Sequence, residues 1–357
     1  MGVKTLIEMP EILRSIIIRN LRGFEQLELK NLGKLNLIVG RNGTGKSTVL
    51  EAITLAASAS TNFYDSLGND LLEWLIKRRG KPYVASLNHI IRIGRDQAEI
   101  LVRSDRKSVF SVSLATRHAA ERIISQYVEK DKEKYERYIG ILNNMDKEVT
   151  RVVRRIIRRR QGFVWRVYEV EEEISTVLYV LANGMPMARL SVLEEDYPHV
   201  VRYTPGSTAN SSVLVFDEIL GFSMEFYASV HDALLKSGRI EKIREVLGKR
   251  GITDIRLDRG GVLHVMIEDK YLPINVVGDG TRLLVTELAL ILLKPSILIA
   301  EEPEIHLHPG YIDLFVKAMV EMLREGTDSQ AFISTHSLDL IDLSLIHISE
   351  PTRPRLI

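Results

Sequence analysis

Cysteine is absent from all 357 residues, so neither disulfides nor a cysteine-bound metal cluster can hold this chain together. A long uninterrupted apolar run is missing too. The longest apolar stretch, Leu283 to Ala300, is broken by Glu287, Lys294 and Pro295, and reads as a buried helix followed by a buried strand rather than a membrane span. Met1 to Pro10 carries Lys4 and Glu8 and lacks the apolar core of a secretory leader. A net charge of only +1 removes any bulk electrostatic argument for nucleic-acid binding. These absences point to a soluble, cytoplasmic protein with no membrane partner. With 45% apolar and 27% charged residues, the length suits one large α/β domain with an insertion, or two modest domains.

Three short apolar segments open the chain as strands: 15–18, 27–29 and 35–39, with turns at Arg22-Gly23 and around Gly33. The last runs into a glycine-rich loop, after which Ser47 to Ala57 has helical character. Residues 88 to 114 alternate as a small antiparallel meander with turns near Gly94 and Asp105. From Thr116 to Arg160 the period becomes helical. Ile123, Ile124, Tyr127, Val128, Tyr135, Ile139 and Leu142 mark a first helix. A second, Asp146 to Arg160, gathers Val149, Val152, Val153, Ile156 and Ile157 on one face. Strand patterns follow at Phe163 to Val170 and Thr176 to Leu181, a helix at Met224 to Lys249, and a β-rich stretch at Ile255 to Ile267. No internal repeat or low-complexity segment interrupts the pattern. Ser344 to Pro354 breaks the helix that begins at Ser337, and it resembles a peptide translated from sequencing-adapter DNA. Residues 344–357 are therefore expected to be a non-native tail, with the natural protein continuing differently.

Gly40, Arg41, Asn42, Gly43, Thr44, Gly45, Lys46 and Ser47 fit G-x-x-x-x-G-K-[ST] at every fixed position. Glycines let backbone N–H groups converge on phosphate oxygens, and the helix that follows, with Thr48 in its first turn, aims its positive end at the same anion. Lys46 is expected to reach the β- and γ-phosphates and the Ser47 hydroxyl to coordinate Mg²⁺. Ile297 to Ala300 suits a buried central strand, and it ends in Glu301 and Glu302. At the carboxyl end of such a strand Glu301 is placed to hold Mg²⁺, and Glu302 to take a proton from a water attacking the γ-phosphate. Phe332 to Ser334 is another apolar strand, closing on Thr335, His336 and Ser337, and His336 is a candidate contact to the γ-phosphate or that water. Gly278, Asp279, Gly280 and Thr281 precede an apolar helix, Leu283 to Leu293. They read either as a cap or as a second anion cradle, which two chains packed head to tail would need and a single chain would not.

Taken in order, Ile18 to Phe24, the phosphate loop, Gly278 to Arg282, Glu301 to Pro309 and Ser334 to Ser337 resemble the ABC-type ATPases of the RecF/SMC/OLD kind, including the "AAA family ATPase" proteins of bacteria and archaea. The resemblance spans roughly 1–115 and 210–343. It implies an α/β P-loop head with a mixed sheet, an antiparallel β subdomain and an inserted helical lobe. Residues 1–115 would be the half carrying the Walker A loop. Residues 210–343 would carry signature, Walker B and switch histidine, and 116–209 the inserted lobe. It further implies that Gly278 to Thr281 act on the partner chain's nucleotide in an ATP-sandwiched homodimer, and that Glu304 to Pro309 lie at that interface. Two features depart from the family. Glu301 stands where aspartate is usual, and neither Gln97 nor Gln126 matches the glutamine that links nucleotide to the second lobe.

The resemblance implies ATP and Mg²⁺ as cofactors and an ATPase serving DNA repair or anti-phage defence, with an effector protein or further domain as its partner. A nucleotide switch with little turnover and a transporter ATP-binding subunit are the alternatives. Arg151, Arg154, Arg155, Arg158 and Arg159 line one helical face, which fits either DNA or RNA phosphates or a solvated face paired with Glu169 and Glu171 to Glu173. His306 and His308 alternate as metal ligands do, but no third ligand stands nearby and an interface role is the preferred reading.

Overall fold

The computed structural model describes residues 12–104, 109–129, 131–160, 177–193, 197–203, 212–217, 224–305, 307–325, 329–347 and 355–356. A parallel sheet forms the centre. Its strands are β3 (Leu35–Val39), β9 (Val213–Phe216), β13 (Ile297–Glu301), β14 (Gln330–Thr335) and β15 (Arg355–Leu356), in the order β15-β3-β14-β13-β9. β13 is an unbroken apolar run up to Glu301 because both of its faces are covered. Successive side chains leave a strand on opposite faces. Ile297 and Ile299 thus enter one core, while Leu298 and Ala300 enter another.

The first core lies between the parallel sheet and an antiparallel one of order β2-β1-β4-β5-β6-β7-β8. Those strands are β1 (Leu13–Arg19), β2 (Gln26–Lys30), β4 (Gln97–Ser104), β5 (Val109–Ala115), β6 (Val177–Ala182), β7 (Met185–Leu193) and β8 (Tyr197–Arg202). Helix α1 (Lys46–Ser58) runs between the two sheets and is buried almost all round, Glu51 included. Gln330 stitches the sheets together at one end. Its side chain accepts from Leu13 N at 3.0 Å and donates to Leu13 O at 2.9 Å and Gly33 O at 2.7 Å. Two short helices, α2 (Leu71–Lys77) and α3 (Tyr83–Asn88), precede β4. An arm of α4 (Arg117–Val128) and α5 (Lys132–Arg160) leaves after β5 and is rooted on β6 and β7.

The second core covers the other face of the parallel sheet. It is built from α6 (Met224–Lys236), α7 (Ile240–Gly248), α8 (Asp279–Leu292), α9 (Pro309–Glu325) and α10 (Leu338–His347). A small antiparallel sheet joins them: β10 (Ile252–Leu257), β11 (Leu263–Ile267) and β12 (Lys270–Pro273). Among the described residues no helix is long and apolar enough to cross a membrane.

Several boundaries differ from those the sequence pattern predicts. The first helix of the arm ends at Val128 and the second begins at Lys132, before the residues expected to end the first. Glu129 takes a left-handed φ of 46°, and Asp131 restarts the helix by accepting Lys134 N at 2.9 Å. Residues 224–249 form two helices, because Gly238 at φ 68° closes α6 with bonds from Gly238 N to Leu235 O and Arg239 N to Leu234 O. The meander is strand only from Gln97 onward, its first part being turn. α10 does not break at Ser344 but runs on to His347, whose carbonyl accepts from Arg324 Nη2 at 3.0 Å. α8 begins at Asp279, four residues early, because Gly278 is extended and its carbonyl accepts Thr281 N and Arg282 N. The strand expected at Phe163 to Val170 lies outside the described residues.

Candidate nucleotide-binding site

The parallel strands β3, β13, β14 and β9 all end at one edge of their sheet, where α/β folds place ligands. At that edge a cavity of about 730 Å³ is lined by the phosphate loop, Phe24, Arg78, Asp217, Glu301 and Glu302, among others. β3 delivers the loop at Gly40, and α1 begins at Lys46 with its N-terminus facing the cavity. Gly45 sits at φ 98°, and a Cβ there would run into the ring of Phe24. Only glycine allows both the left-handed turn and that close approach. Lys46 reaches back across the loop, its Nζ donating to Gly40 O at 3.0 Å and lying 3.4 Å from Glu302 Oε1.

Ser47 Oγ donates to Glu301 Oε1, bringing the hydroxyl at the head of α1 onto the last residue of β13. These two are hard oxygen donors of the type Mg²⁺ takes, converged at one point of the cavity floor, so the residues present fit the ion. Glu302 leaves the strand with a left-handed φ of 44°, held there by its N–H donating to Ser334 O at 2.9 Å. That conformation is uncommon for a residue with a side chain and points its carboxylate between Lys46 and His336, whose Nδ1 is 3.3 Å away. Glu304 ties the two strand ends together from below: its Oε1 accepts from Thr335 Oγ1 at 2.5 Å and from His336 N at 3.2 Å.

The residues expected at the site are thus partly gathered. Asn42 to Thr48, Glu301 and Glu302 line the cavity, His336 reaches its edge only through Glu302, and Gly40 and Arg41 are not among the lining residues. Gly278 to Thr281 do not line it. Gly278 and Asp279 are exposed at the head of α8, whose only approach to the cavity among the lining residues is Leu283. Arg151, Arg154, Arg155, Arg158 and Arg159 fall on the last turns of α5, where the backbone alone is described. His306, Glu169 and Glu171 to Glu173 lie outside the described residues.

The sequence pattern gives no role to a charged cluster behind the cavity. Glu51, fully buried on α1, receives Arg22 Nε at 3.1 Å and Arg79 Nε at 3.0 Å, with Arg78 Nε 3.5 Å away. Arg78 also pairs with Glu301 and, at 3.3 Å, with Asp217 at the end of β9. Burial pulls the Arg78 guanidinium below the ordinary arginine value, and the charges of Glu51 and Asp217 push it back up. Asp217 carried a signal: Val213 to Phe216 is a short apolar strand ending in a carboxylate, as Ile297 to Glu301 is. Arg78 carried none, because Lys-Arg-Arg-Gly at 77–80 reads as a solvated turn.

Comparison with known proteins matches residues 15–178 to the family described as "AAA domain". Residues 190–342 match the one described as "AAA domain, putative AbiEii toxin, Type IV TA system". Over 65 residues the chain is 38% identical to the uncharacterized protein MJECL10 of Methanocaldococcus jannaschii, covering 18% of this chain and 30% of that protein. Over 50 residues it is 40% identical to the DNA replication and repair protein RecF of Listeria welshimeri, covering 14% of each. The matched segments thus span less than a third of either relative's length. Among solved structures, the Smc head domain with an extended coiled coil, bound to the C-terminal domain of ScpA from Pyrococcus furiosus, aligns at 12% identity with a TM-score of 0.46, covering 93% of this chain and 92% of that one.

Proposed function

We propose that the chain, whose two halves match AAA-domain models and which is similar to RecF over 50 residues, is an ABC-type ATPase of the RecF/SMC kind that binds ATP with Mg²⁺ at the edge of the parallel sheet and hydrolyses it. The observation that carries this reading is the convergence of Lys46, Ser47, Glu301 and Glu302 on one cavity at a glycine loop, with His336 beside Glu302. In this reading the loop N–H groups and the head of α1 cradle the phosphates, and Lys46 neutralises the β- and γ-phosphates. Ser47 and Glu301 hold Mg²⁺, which supplies charge neutralisation to the triphosphate. Glu302, at the γ-phosphate end, accepts the proton of the attacking water, and His336 senses that end of the nucleotide.

Two copies then close over two nucleotides, each lending Gly278 to Thr281 at the head of α8 to its partner. Support for this comes from where those residues stand: a helix N-terminus, exposed and away from the chain's own cavity, is an anion site available to another molecule. Residues 1–115 and 210–343 belong to the head; within 116–209 the arm α4–α5 is the inserted lobe, while β6 to β8 continue the head's antiparallel sheet. Closure would drive a partner or further domain in DNA repair or anti-phage defence. RecF, a replication and repair protein, supports the first setting. A switch with little turnover is the second reading. It is favoured by Glu301 in the place of aspartate and by the engagement of that carboxylate by Arg78.

The test is size-exclusion chromatography with light scattering on Glu302→Gln, with and without ATP–Mg²⁺, beside wild-type phosphate release. The sandwich reading expects an ATP-dependent dimer of Glu302→Gln and turnover reduced by about 10²–10⁴-fold. A monomer under all conditions, from a variant that still binds ATP, would overturn the sandwich. Equal turnover in both proteins would remove Glu302 from the chemistry.

A further inference from the structure

Three carboxylates from three elements end at one guanidinium. Glu301 closes β13, Asp217 closes β9 and Glu51 projects from α1, and Arg78 meets all three. Its side chain is 5% exposed, and its guanidinium lies over the Trp74 ring, 4.7 Å from the centroid. α2, which carries Trp74 and ends just before Arg78, is held at its head by Asp70, which accepts Leu72 N and Glu73 N and pairs with Arg202 of β8. Arg78 is therefore a fixed cation within the wall of the cavity, not a surface side chain that happens to reach it. The charges around it balance: Glu51, Asp217 and Glu301 stand against Arg22, Arg78 and Arg79, while Glu302 has Lys46.

A balanced, partly dehydrated cluster gives a divalent cation little reason to enter alone. The ion would gain Glu301 only against the repulsion of a guanidinium already on that carboxylate. A triphosphate changes the balance by bringing several negative charges to the loop beside it. Resting on the nucleotide-site reading above, we propose that Arg78 is a positioning residue that competes with the divalent cation for Glu301, so that metal binds tightly only together with nucleotide. Arg78 thereby sets the order in which the site loads: metal arrives with the triphosphate, not before it.

The experiment is Mn²⁺ binding, read by electron paramagnetic resonance of free Mn²⁺, for wild type, Arg78→Lys and Arg78→Gln. Each is measured without nucleotide and with a non-hydrolysable ATP analogue, and circular dichroism checks the fold. Wild type is expected to hold Mn²⁺ weakly alone and tightly with the analogue. Arg78→Gln should bind Mn²⁺ without nucleotide more tightly by at least the order of tenfold, since one charge is removed from beside the ion. Arg78→Lys, keeping the charge, should stay near wild type. Adding Glu301→Gln to Arg78→Gln should abolish the gain. The proposal is overturned if wild type binds Mn²⁺ equally well with and without the analogue, a result that needs no variant to fold. Equal Mn²⁺ affinity in wild type and folded Arg78→Gln overturns it as well. If the analogue itself fails to bind wild type in the presence of Mn²⁺, the nucleotide-site reading falls and the proposal falls with it. Analogue binding without the expected metal effects removes Arg78's role alone.

Discussion

Glu287 lies on α8 in the second core, 2% exposed, and neither carboxylate oxygen has a hydrogen-bond partner. Burial, and secondarily the charge of Glu304, push its pKa well above the ordinary 4.5. The folded chain therefore keeps this proton over a pH range in which the unfolded chain has released it. Below the unfolded value both states are protonated and the residue is neutral toward stability. Above it, each further pH unit costs about 1.4 kcal/mol until the folded value is reached. Glu287→Gln removes that cost while preserving shape. Calorimetric melting should show little difference between variant and wild type near pH 4.5. The variant's advantage should grow as the pH rises above the ordinary carboxylate value. An offset that is constant with pH would mean that Glu287 is ionised in the fold or finds a partner.

The arm shows how much an element depends on one polar junction. Asp146, part-way along α5, accepts Arg117 Nη1 from α4 at 2.6 Å, the Tyr179 hydroxyl from β6 at 2.5 Å and Arg189 Nε from β7 at 2.9 Å. Arg189 is 6% exposed, so Asp146→Ala strands a buried cation, whereas Asp146 itself is 39% exposed and water can replace part of the loss. We expect a cost of about 2 kcal/mol, concentrated in the arm. Hydrogen exchange should speed up in α4 and the first half of α5 and hardly at all in α1 or β14. Uniform acceleration would show that the arm and the head unfold as one unit. Such junctions are also where reading the sequence runs out. The phosphate loop, the acidic end of β13 and His336 were legible because each signal is contained in a few consecutive residues. The arm's break at Glu129 was not, because apolar spacing continues smoothly across it, and only a left-handed residue with the Asp131 cap marks it. Arg78 was not legible either. Its partners Glu51, Asp217 and Glu301 lie on three separate elements, and only the packing of α2 against α1 joins them.

At the scale of the molecule, two cores flank one parallel sheet, and the polar groups assigned to the chain's own nucleotide sit where that sheet ends. The strands that end there share their sheet with both cores. Loss of nucleotide binding can therefore be separated from loss of fold only at a residue that faces the cavity. Lys46 is that residue: its charge is spent on the loop carbonyl of Gly40 and on Glu302, and no core packing depends on its ammonium. Whether this cavity is a nucleotide site is tested most directly by isothermal titration of wild type and Lys46→Ala with a non-hydrolysable ATP analogue and Mg²⁺. Wild type should show saturable binding at one site per chain, and a folded Lys46→Ala binding weakened by at least the order of a hundredfold, given the charge-assisted bonds removed. Equal affinity of the two proteins, or no heat of binding in a folded wild type, would contradict the nucleotide-site reading.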